Sequence, residues 1–180
     1  FLYEGQRGPK VGEWFQNPDL ANTLMDIASH GSKILYGGEL GDRIVRSLEA
    51  QGGYLTLADL KEHQFEWVDP ICVNFKGYDI WEIPPAGQGI AALQMLKLLE
   101  PFKLKEMGHN TTTYLHHIIE AKKLAFADLS TYIGDRNSMK VSAEQLLDDT
   151  YIANRLKLID PQKAMRHVQP NPEMTRTETV

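Results

Sequence analysis

Apolar residues recur along this chain at two spacings, one helical and one alternating. Asn17 before Pro18 supplies a capping residue followed by proline at the first helical position. Leu20, Leu24, Ile27 and Ala28 then line one helix face, and Gly31 is placed to end it. A second helix is predicted over 39–50 with Leu40, Ile44, Val45 and Leu48 inward, stopped by Gly52 and Gly53. Thr56 caps a short third helix through Ala58-Asp59-Leu60. From Phe65 the rhythm changes. Ile71-Cys72-Val73-Asn74-Phe75 and Tyr78-Asp79-Ile80-Trp81-Glu82-Ile83 are rich in β-branched and aromatic residues and are separated by Lys76-Gly77, which reads as a β-hairpin closed by Pro84-Pro85. The second run does not alternate cleanly, so its buried face stays open.

Beyond Gly87-Gln88-Gly89 a helix carries Ile90, Leu93, Leu96 and Leu99, with Pro101 just past its end. After a polar linker, Thr111–Thr113 can cap a long helix on which Leu115, Ile118, Ile119, Phe126, Leu129 and Ile133 occupy overlapping faces, ended by Gly134. Ser142 and Gln145 form a capping-box pattern before a short helix over 144–147, and a last helix is predicted over 151–158. The stretch from Val168, with Pro170 and Pro172, reads as an exposed, flexible tail. Helices dominate around one hairpin. A lone hairpin is marginal in water, so the expectation is that it pairs with strands outside this chain.

Composition narrows the options. With 42% hydrophobic and 24% charged residues, the 180-residue chain can build a core. A net charge of −5 provides no basic footprint for nucleic acid. No run of about 18 apolar residues suggests a membrane span. Cys72 is the single cysteine, so no internal disulfide and no cysteine-based metal site is expected. The chain starts at Phe1 with no leader pattern, which leaves the compartment undetermined and suggests a piece of a longer polypeptide.

Local motifs carry little chemistry. His116 and Glu120 share a helix face beside His117, but two or three such residues without zincin spacing read as polar decoration of a helix rather than a metal site. Gly87-Gln88-Gly89 can cradle an anion or, on the simpler reading, make a tight turn where a side chain would clash. Asp128 and Asp135 can form a carboxylate pair or, more simply, cap or salt-bridge Arg136 and neighbouring helices. Cys72, in an apolar strand without a neighbouring cation, reads as inert.

Four segments in order nonetheless resemble the gamma-glutamyltransferase family. Gly12-Glu13-Trp14-Phe15-Gln16-Asn17-Pro18-Asp19-Leu20-Ala21-Asn22-Thr23-Leu24 is similar to its Gly-Glu-x-Phe-x-Asn-Pro-Asp-Leu-Ala-x-Thr-Leu stretch, and Gly52-Gly53-Tyr54-Leu55-Thr56-Leu57-Ala58-Asp59-Leu60 to its Gly-Gly-x-Leu-Thr-x-x-Asp-Leu. Tyr78 through Pro85 with the glycines after it is the third, and Ala121-Lys122-Lys123-Leu124-Ala125-Phe126-Ala127-Asp128 with Tyr132-Ile133-Gly134-Asp135 the fourth. The turn Pro84-Pro85-Ala86-Gly87-Gln88-Gly89 departs from the family's Pro-Pro-Pro-Ser-Ser-Gly-Gly and looks closer to an acylase-like branch.

The resemblance implies an α+β fold: the helix-rich part of an αββα N-terminal nucleophile hydrolase sandwich, incomplete in this chain. Residues 1–180 would be the latter part of the large-subunit region, with 168–180 leading to a self-cleavage site. In the family a precursor cuts itself and frees a threonine. Glu178-Thr179-Val180 fits the motif as far as the chain runs, so Thr179 is the implied nucleophile, Glu178–Thr179 the implied cleavage site, and Thr177 the register alternative. The implied activity is gamma-glutamyl transfer or hydrolysis, glutathione being such a donor. The rivals are a related amide acylase and a non-catalytic helical binding module. Expected partners are the small subunit of the same precursor, the preceding part of the large subunit, a small gamma-glutamyl substrate and a second precursor copy. No cofactor or metal is expected, and the substrate-binding residues would lie outside this chain.

Overall fold

The computed structural model describes Leu2 and residues 5–171. It divides into two compact units, Phe1–Glu66 and Trp67–Val180.

In the first unit, α1 (Pro18–His30) starts where the Asn17 side chain accepts the Leu20 N–H, and the N–H of Gly31 closes its last turn on the Ile27 carbonyl. None of its residues is buried; Leu20 and Leu24 of the apolar stripe stand exposed, as does Met25 beside them. α2 (Glu39–Glu49) packs on α3 (Leu57–Glu62), whose first turn is held by the Thr56–Asp59 capping box. Val45 is buried as expected, but Leu48 is exposed. The other buried residue of α2 is Gly41, where a Cβ would stand 2.2 Å from the Leu35 carbonyl oxygen. A small residue is therefore required there by the close approach of the preceding turn.

The second unit opens with the hairpin β1 (Ile71–Phe75) and β2 (Tyr78–Glu82), antiparallel with Val73 opposite Ile80. Lys76 and Gly77 both have positive φ, 52° and 87°, as a two-residue turn of mirrored type requires. The Lys76 N–H donates to the Glu100 carboxylate and its ammonium to the Glu100 carbonyl, pinning the turn to the end of α4 (Gly89–Leu99). The inward face of the sheet carries Ile71, Val73 and Phe75. Trp81, on the other face, is 60% exposed. These are the only two strands among the described residues.

α4 is covered on most sides, with Ile90, Ala91, Leu93, Gln94, Leu98 and Leu99 buried, as a helix that is apolar nearly all round must be. Leu98, not the expected Leu96, completes that set. It packs on the hairpin, on α6 (Thr112–Tyr132) and on α8 (Asp149–Leu156). The polar linker contains a further turn of helix, α5 (Leu104–Met107), and α7 (Ala143–Leu146) starts at the Ser142–Gln145 capping box. Asp148 caps α8, which begins two residues before the predicted start.

The buried side of α6 corrects the sequence expectation. Leu115, Ile119 and Phe126 are exposed. The stripe that enters the core is His117, Glu120, Ala121, Leu124, Ala125, Asp128 and Tyr132. Small Ala121 and Ala125 let α4 approach closely, and the polar members find partners inside.

Candidate functional site

The predicted site residues Glu178 and Thr179, and the alternative Thr177, lie outside the described residues. The chain leading to them is described as far as Asn171, and its attachment is the most developed polar geometry in the second unit.

Two helices supply the side chains. Asp128, in the last turns of α6, has a fully buried carboxylate. It accepts hydrogen bonds from Arg155 Nη2 at 2.8 Å, the Tyr151 hydroxyl at 2.7 Å and Gln94 Nε2 at 3.1 Å. Burial pushes this carboxyl up from the usual range, against the opposing pull of the Arg155 charge and the three donors. The same burial, with the Asp128 carboxylate beside it, drives the Tyr151 phenol far up, so it stays a donor. Arg155 also donates from Nη2 to the Leu124 carbonyl and from Nη1 to the Gln169 carbonyl at 2.7 Å. Its buried Nε has no partner among the described residues, so the guanidinium is held by its terminal nitrogens. Asp128 therefore salt-bridges a neighbouring helix through Arg155, one of the expected roles, and not Arg136, which is exposed. Asp135 caps a 3₁₀ turn over Arg136–Ser138.

Half a helix earlier, Glu120 accepts Lys123 Nζ at 2.6 Å and the Met165 N–H at 2.8 Å, while Lys123 Nζ donates to the Met165 carbonyl at 2.9 Å. Both main-chain groups of Met165 are thus taken by one ion pair. Desolvation raises the Glu120 carboxyl, but the Lys123 and Met165 hydrogen bonds and the Lys123 and His116 charges outweigh it and hold it below its ordinary value. The Tyr132 hydroxyl donates to the Asn171 carbonyl. Val168 packs against the core. The described start of the segment expected to run loosely from Val168 is therefore held along α6 and α8. A cleft of about 470 Å³ borders it, lined by Asn154, Arg155 and Leu158 on one side and Met165, His167 and Val168 on the other.

A pH dependence follows. A carboxylate depressed on folding contributes stability that is complete above its unfolded pKa, about 4.3, and is lost as pH falls through the folded value. Wild-type protein should therefore lose more stability between pH 5 and pH 3 than Glu120→Gln. Urea midpoints at the two pH values measure this difference. Asp128, raised rather than lowered, works with the opposite sign and is common to both proteins.

The other motifs resolve simply. His117 is buried edge-on against Phe102 and hydrogen-bonds the Thr113 carbonyl, and His116 meets the Asp160 carbonyl; buried His117 and Glu120 are core partners, not surface decoration. Among the described residues no three His, Cys, Asp or Glu side chains converge on a metal position. A Cβ at Gly89 would stand 2.6 Å from a Glu82 carboxylate oxygen, which is the clash expected for a tight turn. Burial and the nearby Asp79 charge raise the Cys72 thiol, so it stays protonated at neutral pH. No described helix is long and apolar enough to cross a membrane. The Asp128 cluster contains no nucleophile with an adjacent free base. Its oxygens are fully engaged, and its chemistry is that of a clamp.

Sequence reasoning missed Arg155, Tyr151, Gln94, Lys123 and Tyr132. The one available signal was the Arg155 position in the turn after Tyr151 and Ile152, on an otherwise apolar face.

This architecture recurs in known acyl-transfer enzymes. A cephalosporin acylase structure from Bacillus halodurans is 42% identical, with a TM-score of 0.74 over 86% of this chain and 28% of that one. Helicobacter pylori gamma-glutamyltranspeptidase superposes with a TM-score of 0.81 at 26% identity, covering 100% of this chain and 52% of that chain. The gamma-glutamyltranspeptidase family model matches residues 1–179, and the chain belongs to that family. A glutathione hydrolase proenzyme of Pseudomonas sp. (strain A14) is 34% identical over 91% of this chain. An acylase ACY 1 proenzyme of Pseudomonas sp. (strain SE83) is 35% identical over the same share. The chain spans 28% and 29% of these two proenzymes.

Proposed function

We propose that this chain is the latter part of the large-subunit region of a self-cleaving precursor whose mature form transfers or hydrolyses gamma-glutamyl groups. The observation that carries the reading is the family match over residues 1–179. Relatives named as proenzymes support a processed precursor. A sheet of only two strands among the described residues supports completion by strands outside this chain, and its exposed outer face supports a covering layer, as in an αββα sandwich.

In this reading the Thr179 hydroxyl attacks the Glu178 carbonyl carbon. The amide C–N bond breaks, the nitrogen takes up the proton, and Glu178 is left as an ester on Thr179. Water then hydrolyses the ester, giving the Glu178 carboxylate and a free Thr179 α-amine. That amine, with an ordinary pKa of about 7.7–8.0, serves as base for the same hydroxyl in later turnovers. Before the cut the base does not exist, so the precursor is inactive. In turnover the hydroxyl takes the acyl group from the donor, and water or an amino acceptor releases it. The small subunit and the preceding part of the large subunit complete the site.

A second reading, an amide acylase, is favoured by the Pro84–Gly89 turn and the 42% identity to a cephalosporin acylase. The two differ in whether the site recognises the donor's α-amine. The processed full-length protein should release aniline chromophore from a gamma-glutamyl anilide at least about tenfold faster than from the glutaryl anilide, which lacks only that amine, since one hydrogen bond to a charged group contributes about 1.5–3 kcal/mol. The reverse preference would establish the acylase reading. Turnover of neither would count against both.

A further inference from the structure

We infer that Glu120, Lys123, Arg155 and Tyr132 are positioning residues that dock the Met165–Asn171 run and thereby present the Glu178–Thr179 bond for cleavage, an inference that rests on the Thr179 reading above. Every one of these contacts is made to main-chain atoms: the Met165 N–H and carbonyl, the Gln169 carbonyl and the Asn171 carbonyl. Main-chain recognition holds a segment in register whatever its side chains. The partners come from rigid positions. Glu120 and Tyr132 are buried on α6, and Arg155 is fixed to Asp128 and the Leu124 carbonyl. A buried carboxylate spent on one peptide N–H, beside a cation on the same residue's carbonyl, does little for a tail that merely trails into solvent. It does serve a tail whose far end must find one place.

The effect has a calculable floor. With Asn171 anchored, the eight residues to Thr179 reach at most about 29 Å. If the run were released, the next anchor upstream would be Asp160, whose carbonyl is held by His116. The tether would then be nineteen residues long. Closing the longer tether lowers the population of the reactive geometry about fourfold by chain entropy alone.

The test is the first-order cleavage rate of newly made full-length precursor, followed by gel and intact mass. Lys123→Met/Tyr132→Phe/Arg155→Lys leaves the Met165 N–H on Glu120, so the tether is fourteen residues and the cut should be about twofold slower or worse. Because the Arg155 change also strains the Asp128 pair, Lys123→Met/Tyr132→Phe is measured alongside. With Gln169 still held by Arg155 the tether is ten residues and the cut about 1.4-fold slower. Since the buried Glu120 carboxylate loses its cation, the urea midpoint falls, so the rate is read where the variant is folded. Lys123→Arg, which keeps the donor, should cut at the wild-type rate. Wild-type rates in folded double and triple variants would overturn the inference. Thr179→Ala separates the two levels: if it still cuts at the same bond, the nucleophile reading fails; if it stays uncut while the double variant cuts normally, only the clamp fails.

Discussion

Asp128→Ala should lower the stability of the unit that contains it by about 3–5 kcal/mol, the usual result of leaving a buried charge without its partner. Arg155 is 4% exposed at its side chain and cannot be deprotonated, so its charge would remain inside with only the Leu124 and Gln169 carbonyls for company. Tyr151 would lose its acceptor, and Gln94 would keep only the Leu146 carbonyl. Against a typical domain stability of about 5–15 kcal/mol, this is at least about a fifth of the total. Urea unfolding of the full-length protein measures it. Replacing both partners with apolar residues, Asp128→Leu with Arg155→Met, should cost less than Asp128→Ala alone, because no orphan charge is created. A midpoint for Asp128→Ala within about 1 kcal/mol of wild type would mean that the pair is not buried as described.

The second large effect concerns Thr179. Thr179→Ala removes the hydroxyl that is proposed both to cut the precursor and to carry the acyl group. The protein should remain one polypeptide indefinitely and show no turnover. Thr179→Ser keeps a hydroxyl and should still cut, more slowly. Substitution of Thr177, the register alternative, should leave two bands. These outcomes distinguish loss of chemistry from loss of fold, since Thr179→Ser keeps the hydroxyl and the Thr177 change tests the register.

How much of this was legible beforehand depended on how local the physics was. The caps at Asn17, Thr56 and Ser142 and the hairpin turn at Lys76-Gly77 were readable because each is decided within four residues. The buried stripe of α6 was not. Large apolar residues at 115, 119 and 126 drew the eye, while the side that packs is built from Ala121, Leu124 and Ala125 with polar groups between them. Those polar groups are tolerable only because Arg155, Gln94, Lys123 and the main chain of Met165 reach them from 27, 34, 3 and 45 residues away. Apart from the Glu120–Lys123 pair, no sequence window contains both halves of these contacts. The same holds for the run after Val168: proline and polarity suggested a loose tail, and the anchoring carbonyls are invisible in side-chain identity. The family relationship was legible because four segments kept their order. The choice of acyl donor was not, because none of the four segments contains a residue that the resemblance assigns to the substrate.

The account stands or falls on one bond. N-terminal sequencing of the smaller fragment from purified full-length protein should read Thr-Val, beginning at Thr179, with a larger fragment whose mass ends at Glu178. A small fragment that begins at any other residue, or a protein that stays in one piece under conditions where it is folded, would contradict it.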